Sequence, residues 1–262
     1  ICQQLSGRSV YKLVEQTPRY RLVAQQIADL ILEGNLRPKE KMPAERELVE
    51  SLGVSRATVR EALIALEIAG FVENRFGAGM AVSANPPVKN TLAKVSGPGP
   101  FELLDARLLV EGEIAALAVE RISKEEIETL KSLTKSMSEE GESEFWGENA
   151  DERFHVTIAR STGNLALELT IRDFWRQRVS MPMWIKMHNR VNVSSMKDAL
   201  VLEHEEIINA LECRNPEGAR TAMRRHISQF GSQLLDAWAA IEDTSEKSVD
   251  SPGILLRREL DF

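Results

Sequence analysis

The chain has 262 residues, of which 43% are hydrophobic and 28% charged, and its formal net charge is −7. This composition is that of a folded globular protein and excludes a chain that is disordered throughout. No stretch approaches the ~20 uninterrupted apolar residues of a membrane helix, so we expect a cytoplasmic protein with no membrane partner. Cys2 and Cys213 alone form neither a disulfide framework nor a thiolate metal site.

The charged residues are distributed unevenly along the chain. Residues 1–85 hold 11 basic and 10 acidic side chains, whereas the rest of the chain holds 22 basic and 30 acidic ones. The N-terminal part is therefore not a nucleic-acid binder by bulk charge. If it binds DNA, individual arginines must make the contacts, and its affinity should fall with added salt.

A segment rich in proline and glycine divides the chain into two structured regions. We predict an N-terminal domain at residues 1–83, a linker at residues 84–100, a second domain at residues 101–241 and a mobile polar tail at residues 242–262. Proline removes a backbone donor and glycine adds chain entropy, which makes regular structure in the linker unfavourable.

The N-terminal region shows the element order of a winged helix-turn-helix. A first helix is predicted from apolar residues at helical spacing, which are Val23, Ile27, Leu30 and Ile31. A second short helix is expected at residues 44–52, and Ser55 is suited to cap a third helix. The core face of this third helix holds Val59, Leu63 and Leu66. Two short strands, at residues 71–74 and 80–83, then enclose a glycine-containing hairpin tip.

The third predicted helix has side chains suited to reading DNA. Arg56 and Arg60 are four residues apart and therefore share one face. Thr58 sits near the N-terminal end of this helix, and Arg46 lies on the preceding one. A helix that enters the major groove needs donors on its outward face, and arginine suits both guanine and phosphate. The alternative is that the arginines are solvated surface charges, which nearby glutamates neutralise.

Beyond residue 100 every predicted segment is helical. The first helix is long and apolar, with Leu103, Leu104, Leu108, Val110, Ile114, Leu117 and Ala118. Further helices are expected at residues 124–139, 144–162, 165–179, 198–212 and 216–241. No alternating strand pattern competes, so the predicted fold of this region is an all-α bundle of six or seven helices.

The four histidines of the chain indicate a second kind of site. Asp151 and His155 are four residues apart on one predicted helix, while His204 and His226 lie on two others. One carboxylate and three imidazoles make a ligand set for zinc or another divalent transition metal. The alternative is that each is an ordinary core or surface histidine. We expect His188 to be a surface or pocket-lining residue.

The segment MPAERELVESLGVSRATVREALIALEIAGFV resembles the DNA-binding domain of the GntR family of bacterial transcription regulators. The resemblance covers residues 20–83. It implies a winged helix-turn-helix that binds an operator in double-stranded DNA. The residues assigned to this contact are Arg46, Ser55, Arg56, Thr58, Arg60 and, at the wing tip, Gly77.

The second region resembles the FCD effector domain of the FadR subfamily, in the segments DERFHVTIARSTGN, EHEEIINAL and ARTAMRRH. The resemblance implies a buried divalent metal held by Asp151, His155, His204 and His226. Zinc is our first choice of ion, with nickel or manganese as alternatives. Members that bind acyl-CoA lack this set, which disfavours an acyl-CoA effector.

The segments GPGPFELLDARLLVEGEIAALAVE and FWRQRVSMPMWIKMH are similar to those of hexuronate-catabolism regulators in this subfamily, which implies a sugar-acid effector. Arg107 would hold the effector carboxylate in the metal cavity, with an ordinary salt bridge to Asp105 or to a surface partner as the alternative. Glu111, one turn further on, would support Arg107 or accept a sugar hydroxyl, and Asn164 would be a polar neighbour. Trp175 and Trp184 are candidates to pack on a sugar face, with burial in the core as the alternative.

We therefore expect a homodimeric transcription regulator that responds to a ligand. We expect it to act as a repressor and not to be an enzyme. A two-fold protein selects a two-fold site, so a palindromic operator is expected. Two alternatives stay open. One is a metal-dependent sugar-acid enzyme with an accessory DNA-binding head, and the other is a metal-sensing regulator whose ion is itself the signal.

Overall fold

A computed structural model describes residues 17–75, 79–89, 91–92, 95, 97–139, 150–188 and 197–247. The side chains of residue 188 and of residues 237–247 are outside this description. The predictions for Gly77, for the side chain of His188 and for the tail beyond residue 247 therefore fall outside the described residues.

The N-terminal region folds in the predicted order of elements. Its helices are α1 (Arg19–Leu32), α2 (Glu45–Leu52) and α3 (Arg56–Ile68). Strands β1 (Val72–Arg75) and β2 (Gly79–Val82) follow and pair antiparallel, with Val72 opposite Val82 and Arg75 opposite Gly79. This confirms the winged helix-turn-helix, with each strand displaced by one residue from its predicted bounds.

The tight turn between α2 and α3 has a local cause. Gly53 ends α2 in the left-handed conformation, at φ 63°, which a side chain would disfavour. Two residues later the Ser55 hydroxyl accepts a hydrogen bond from the Thr58 backbone amide at 3.1 Å. Ser55 is thus the N-cap of α3, as predicted, and the turn fixes the angle at which α3 leaves α2.

The second region is helical, as predicted. Its helices are α4 (Pro100–Ala118), α5 (Lys124–Glu139), α6 (Ala150–Ser161), α7 (Leu165–Ser180), α8 (Pro182–His188), α9 (Lys197–Glu212) and α10 (Pro216–Lys247). Helix α8 was not predicted. The helix expected at residues 144–162 is described only from Ala150, and α10 continues past its predicted end at residue 241. No helix of the described residues combines the length and apolar character needed to span a bilayer.

Helix α4 lies at the centre of the packing of the second region. It contacts α10 along its length and also contacts α6 and α7, while α9 packs between α5 and α10. Apolar side chains such as Ile114, Phe154 and Ile207 fill the space between these helices. This arrangement brings one turn each of α4, α6, α9 and α10 to a common interior.

Helix α3 is packed on more than one side. It contacts α1 and α2 within the N-terminal region, and it also contacts α8 and α4 of the second region. As a result every residue from Val59 to Leu66 is buried. The element order predicted the contacts of α3 with α1 and α2. Local periodicity carries no information about its contacts with α8 and α4.

Candidate metal centre and DNA-binding surface

Four side chains from three helices meet in the interior of the second region. They are Asp151 and His155 of α6, His204 of α9 and His226 of α10. One ligand atom from each lies within 4.8 Å of the others. The four-residue spacing of the α6 pair puts both side chains on one face. The structure therefore brings together the whole ligand set expected from the resemblance.

The Nδ1 atoms of two of these histidines are held by other groups. The Glu111 carboxylate contacts His155 Nδ1, and the Leu200 carbonyl lies 2.7 Å from His204 Nδ1. His155 Nε2 is buried, lies 3.3 Å from Asp151 Oδ1 and makes no hydrogen bond to any described residue. A metal-ligating histidine commonly donates one ring N–H to such a partner and leaves the other nitrogen for the ion.

Glu203 holds the Nδ1 atom of the third histidine, His226, and the sequence analysis missed this residue. Its Oε2 lies 2.9 Å from His226 Nδ1. Burial raises the pKa of Glu203 to about 7, against an opposing effect of Arg225. Burial, together with the charges of His204 and His155, holds the pKa of His226 well below its usual range. The imidazole of His226 is therefore neutral at pH 7, which is the form that binds a metal.

Two buried carboxylates stay ionised in this cluster. Burial raises the pKa of Asp151, but its contacts with the imidazoles of His155 and His204 outweigh burial and hold this pKa well below its usual range. Burial also opposes ionisation of Glu111, yet Arg107 and His155 lower its pKa to about 2. Both groups are therefore anions at pH 7, and Asp151 is available as a metal ligand.

Arg107 is buried beside the cluster, as the resemblance implied. Its Nε donates to Glu111 Oε1 at 2.6 Å, and its guanidinium carbon lies 4.7 Å from the centre of the Trp175 ring. Glu111 thus supports Arg107 with one oxygen and contacts His155 with the other. Of the two roles expected for Glu111, the geometry favours support of Arg107.

Asn164 is not in the interior, and the expectation that it lines the cavity is wrong. It is exposed at the N-cap of α7, where its side-chain oxygen accepts a hydrogen bond from the Ala166 backbone amide at 3.0 Å. A short amide side chain just before a helix satisfies an otherwise unpaired backbone donor. Trp175 and Trp184 are both fully buried, so they belong to the core.

Arg178 of α7 is a second buried arginine that sequence reasoning missed. Its Nη1 lies 3.4 Å from Asp151 Oδ2, and its guanidinium carbon lies 4.5 Å from the Trp175 ring centre. Burial lowers the pKa of Arg178 to about 10, so it remains a cation at pH 7. The three-residue separation from Trp175, which places both on one face of α7, was the available signal.

The N-terminal part of α3 and the adjoining part of α2 present polar groups at the surface. Arg56 and Ser55 are exposed, and Thr58 is half-buried. The Arg46 side chain is 87% exposed and pairs with Glu50 at 3.0 Å. Ser55, Arg56 and Thr58 thus lie at the start of α3, the part of a recognition helix that contacts DNA in the major groove, and Arg46 lies on the preceding helix.

Arg60 is not part of that surface, and the expectation that it shares an outward face with Arg56 is wrong. It is 1% exposed. Its Nε donates to both carboxylate oxygens of Glu45 at 2.9 Å, and its Nη1 donates to the Leu235 carbonyl of α10. The four-residue spacing does give one face, but the second region covers the C-terminal half of that face.

Glu61 makes the neighbouring contact between the two regions. Its carboxylate accepts a hydrogen bond from the Phe101 backbone amide at 2.8 Å, in the first turn of α4. A carboxylate at a helix N-terminus is favoured by the helix dipole. Lys186 of α8 adds an ion pair with Glu67 at 3.2 Å. The second region thus holds α3 through α4, α8 and α10.

A winged helix-turn-helix joined to a helical bundle is the architecture of a DNA-binding transcription regulator. Comparison with family models gives the family. The model "Bacterial regulatory proteins, gntR family" matches residues 19–82, and the model "FCD domain" matches residues 102–229. The chain belongs to the GntR family of bacterial regulators and carries an FCD domain.

Individual relatives agree with this assignment. The chain is 37% identical over 223 residues to the Uxu operon transcriptional regulator of Escherichia coli (strain K12), which covers 83% of this chain and 87% of the relative. It is 34% identical over 229 residues to the Exu regulon transcriptional regulator of the same strain, covering 86% and 88%. A solved GntR structure from Streptococcus agalactiae is 27% identical, covers 80% of this chain and 97% of its own, and has a TM-score of 0.40. The family predicted from the sequence is confirmed.

Proposed function

We propose that this regulator is a repressor of sugar-acid catabolism that senses a small carboxylate at a divalent metal in its helical domain. The observation that carries the proposal is the buried cluster of Asp151, His155, His204 and His226, whose ligand atoms converge within 4.8 Å. The similarity to Uxu and Exu regulators supports a hexuronate or a related aldonate as the effector.

The donor set fits a divalent transition metal. The buried, unbonded Nε2 of His155 has the position of a ligand atom, and the Nδ1 partners of all three histidines favour ligation through Nε2. One carboxylate and three imidazoles suit zinc, with nickel or manganese as alternatives. When bound, such an ion would act as a Lewis acid that a carboxylate or hydroxyl oxygen of the effector can coordinate.

The effector side of the proposal rests on charge and on Arg107. This guanidinium is buried, and Glu111 fixes its orientation. A fixed guanidinium can accept a carboxylate in a bidentate way. Asn164, which is exposed at a helix end, has no place in this proposal.

The DNA contact is proposed for Arg46, Ser55, Arg56 and Thr58, with Gly77 at the wing. Arg60 joins them only if α3 separates from the second region, because it is buried in the described arrangement. A helix buried from Val59 to Leu66 has no room for a DNA groove along that face. We therefore propose that this docked arrangement is the one that does not bind the operator.

Helix α4 connects the DNA-binding helix α3 with the metal centre. Its first turn binds Glu61 of α3, and its second and third turns carry Arg107 and Glu111. An effector that binds more tightly to the docked than to the released arrangement stabilises the docked one. It therefore lowers DNA affinity by at most the difference between its two binding free energies. Release of a repressor by its effector follows from that linkage.

A homodimer that binds a palindromic operator completes the proposal. Leu109 and Leu117 are 60% and 53% exposed, two turns apart on α4. Exposed leucines at that spacing form an apolar stripe that a second copy can cover. The proposed site of action is the cytoplasm, where the operator is.

The test is a ligand screen by thermal shift on metal-loaded protein, with wild type beside His204→Ala. A specific ligand raises the melting temperature by mass action. We expect sugar acids to stabilise the wild type and to weaken its operator complex in a mobility-shift titration, while neutral aldoses do neither. His204→Ala should keep DNA binding and lose both responses. Metal-dependent DNA affinity without any response to an organic acid would instead support a metal sensor and contradict the proposal.

A further inference from the structure

Arg178 occupies a position that packing alone does not require. It is buried in a helical bundle, where a guanidinium loses its hydration and needs other groups to compensate for that loss. Aromatic rings surround its guanidinium carbon, at 4.5 Å for Trp175, 5.5 Å for Trp184 and 5.4 Å for Phe230. Such faces attract a cation and exclude water from it. The guanidinium is thus held in place beside the metal ligands.

The carboxylate that Arg178 contacts is also a proposed metal ligand. Asp151 Oδ2 lies 3.4 Å from Arg178 Nη1, which is long for a charge-assisted hydrogen bond. The other oxygen of Asp151 lies 3.0 Å from His204 Nε2. Asp151 is therefore shared between the guanidinium and the histidine cluster. An ion bound at the cluster competes with Arg178 for the same negative charge.

Arg107 is tied to the metal ligands through Glu111. Its Nε is 2.6 Å from Glu111, whose other oxygen contacts His155. Arg107 and Glu111 thus form a chain that orients a metal ligand. Both guanidinium carbons lie within 5 Å of the centre of the Trp175 ring, so the two arginines contact the same aromatic side chain.

We propose that Arg178 is a specificity-determining residue that joins Arg107 in holding the effector's carboxylate after metal binding has drawn Asp151 away from Arg178. This inference rests on the proposed function, because it needs a carboxylate effector at the metal centre. The class of ligand is a small monocarboxylate with hydroxyl groups. The carboxylate replaces Asp151 as the anion beside the guanidinium, and the site selects it over an uncharged sugar. Metal binding precedes effector binding in this scheme.

The experiment compares wild type with Arg178→Gln and Arg178→Lys, and uses Arg176→Gln as the control. Arg176 is on the same helix, and its side chain is 71% exposed. Metal affinity is measured by competition of zinc with a chromophoric chelator. Affinity for D-glucuronate and D-galacturonate is measured on zinc-saturated protein by the fluorescence of the buried tryptophans, one of which, Trp175, contacts Arg178.

The two affinities should change in opposite directions in Arg178→Gln. Uronate affinity should fall about tenfold or more, the value of one lost charge-assisted contact, while zinc affinity rises because Asp151 loses a competing partner. Arg178→Lys keeps the positive charge but loses the planar guanidinium. Its affinities for uronate and zinc should therefore lie between those of the wild type and those of Arg178→Gln. Arg176→Gln should match the wild type in both.

The failures are distinguishable from each other. Loss of both affinities in Arg178→Gln would show a structural role and overturn the inference, as would uronate affinity equal to that of the wild type. A wild-type protein that binds zinc but no sugar acid would overturn the proposed function itself, whatever the variants do.

Discussion

The metal centre and helix α3 are both buried, but the burial has different origins. At the centre the Nδ1 atom of each histidine ligand has a partner from the same bundle, such as Glu203 for His226 and Leu200 for His204. Around α3 the burial is completed by a second region of the chain, through Leu235 and Phe101. The first kind of burial is part of one cooperative core. We expect the second kind to be reversible without unfolding either region, as the proposed release of α3 requires.

The largest expected effect concerns the part of α3 that stays exposed. Arg56→Ala should weaken operator binding by about 1–3 kcal/mol, because an exposed arginine at the start of a groove-reading helix contacts a base or a phosphate. Arg60→Ala should cost less in DNA affinity, since the same change also removes a contact that holds α3 in the docked arrangement. Mobility-shift titrations at fixed salt measure both variants. Equal and large losses would contradict the distinction between the two arginines.

The next effect tests whether the contact between Glu203 and His226 supports the binding of a metal ion. Glu203→Gln should lower zinc affinity about 10–100-fold, because loss of a partner of this kind misorients a ligand and reduces its basicity. Glu205→Gln, on the same helix but exposed, is the matched control and should bind zinc as the wild type does. Chelator competition gives both values. Unchanged zinc affinity in Glu203→Gln would mean that the contact with His226 is only a feature of packing.

Sequence reasoning succeeded where the signal is local or belongs to the family. The helix-turn-helix follows from periodicity and from Gly53 and Ser55, and the spacing of Asp151 and His155 places both on one face. The convergence of three helices on one centre does not follow from spacing. The residue types alone proposed His204 and His226 as ligands of one metal, with ordinary helix histidines as the alternative, and the resemblance favoured the shared site.

The residues that sequence reasoning missed share a physical cause. Glu203 lies in an acidic run beside His204, where an exposed carboxylate is the ordinary expectation. Arg178 lies in a run with other arginines, most of which are solvated. Arg60 was misplaced because its cover comes from Leu235, 175 residues further along the chain. Burial that depends on distant packing cannot be inferred from helical periodicity.

The smallest expected effect tests whether the contact between the regions is reversible. Lys186 pairs with Glu67 of α3 at 3.2 Å, and a partly exposed pair of this kind contributes about 0.2–1 kcal/mol. Lys186→Glu should therefore favour release of α3 and raise operator affinity by about 1.4- to fivefold. The double variant Lys186→Glu with Glu67→Lys restores the pair and should return the affinity to the wild-type value.

The sign of this change separates docking from bulk electrostatics. Replacing a lysine by a glutamate makes the protein more negative, which on its own lowers affinity for DNA. Lys131→Glu makes the same charge change on α5, where the lysine pairs with Glu128 and Glu212 away from α3. That control should weaken operator binding or leave it unchanged. If Lys186→Glu behaves like Lys131→Glu, α3 is not held by this contact, and its burial has to be explained without a docked state that competes with DNA.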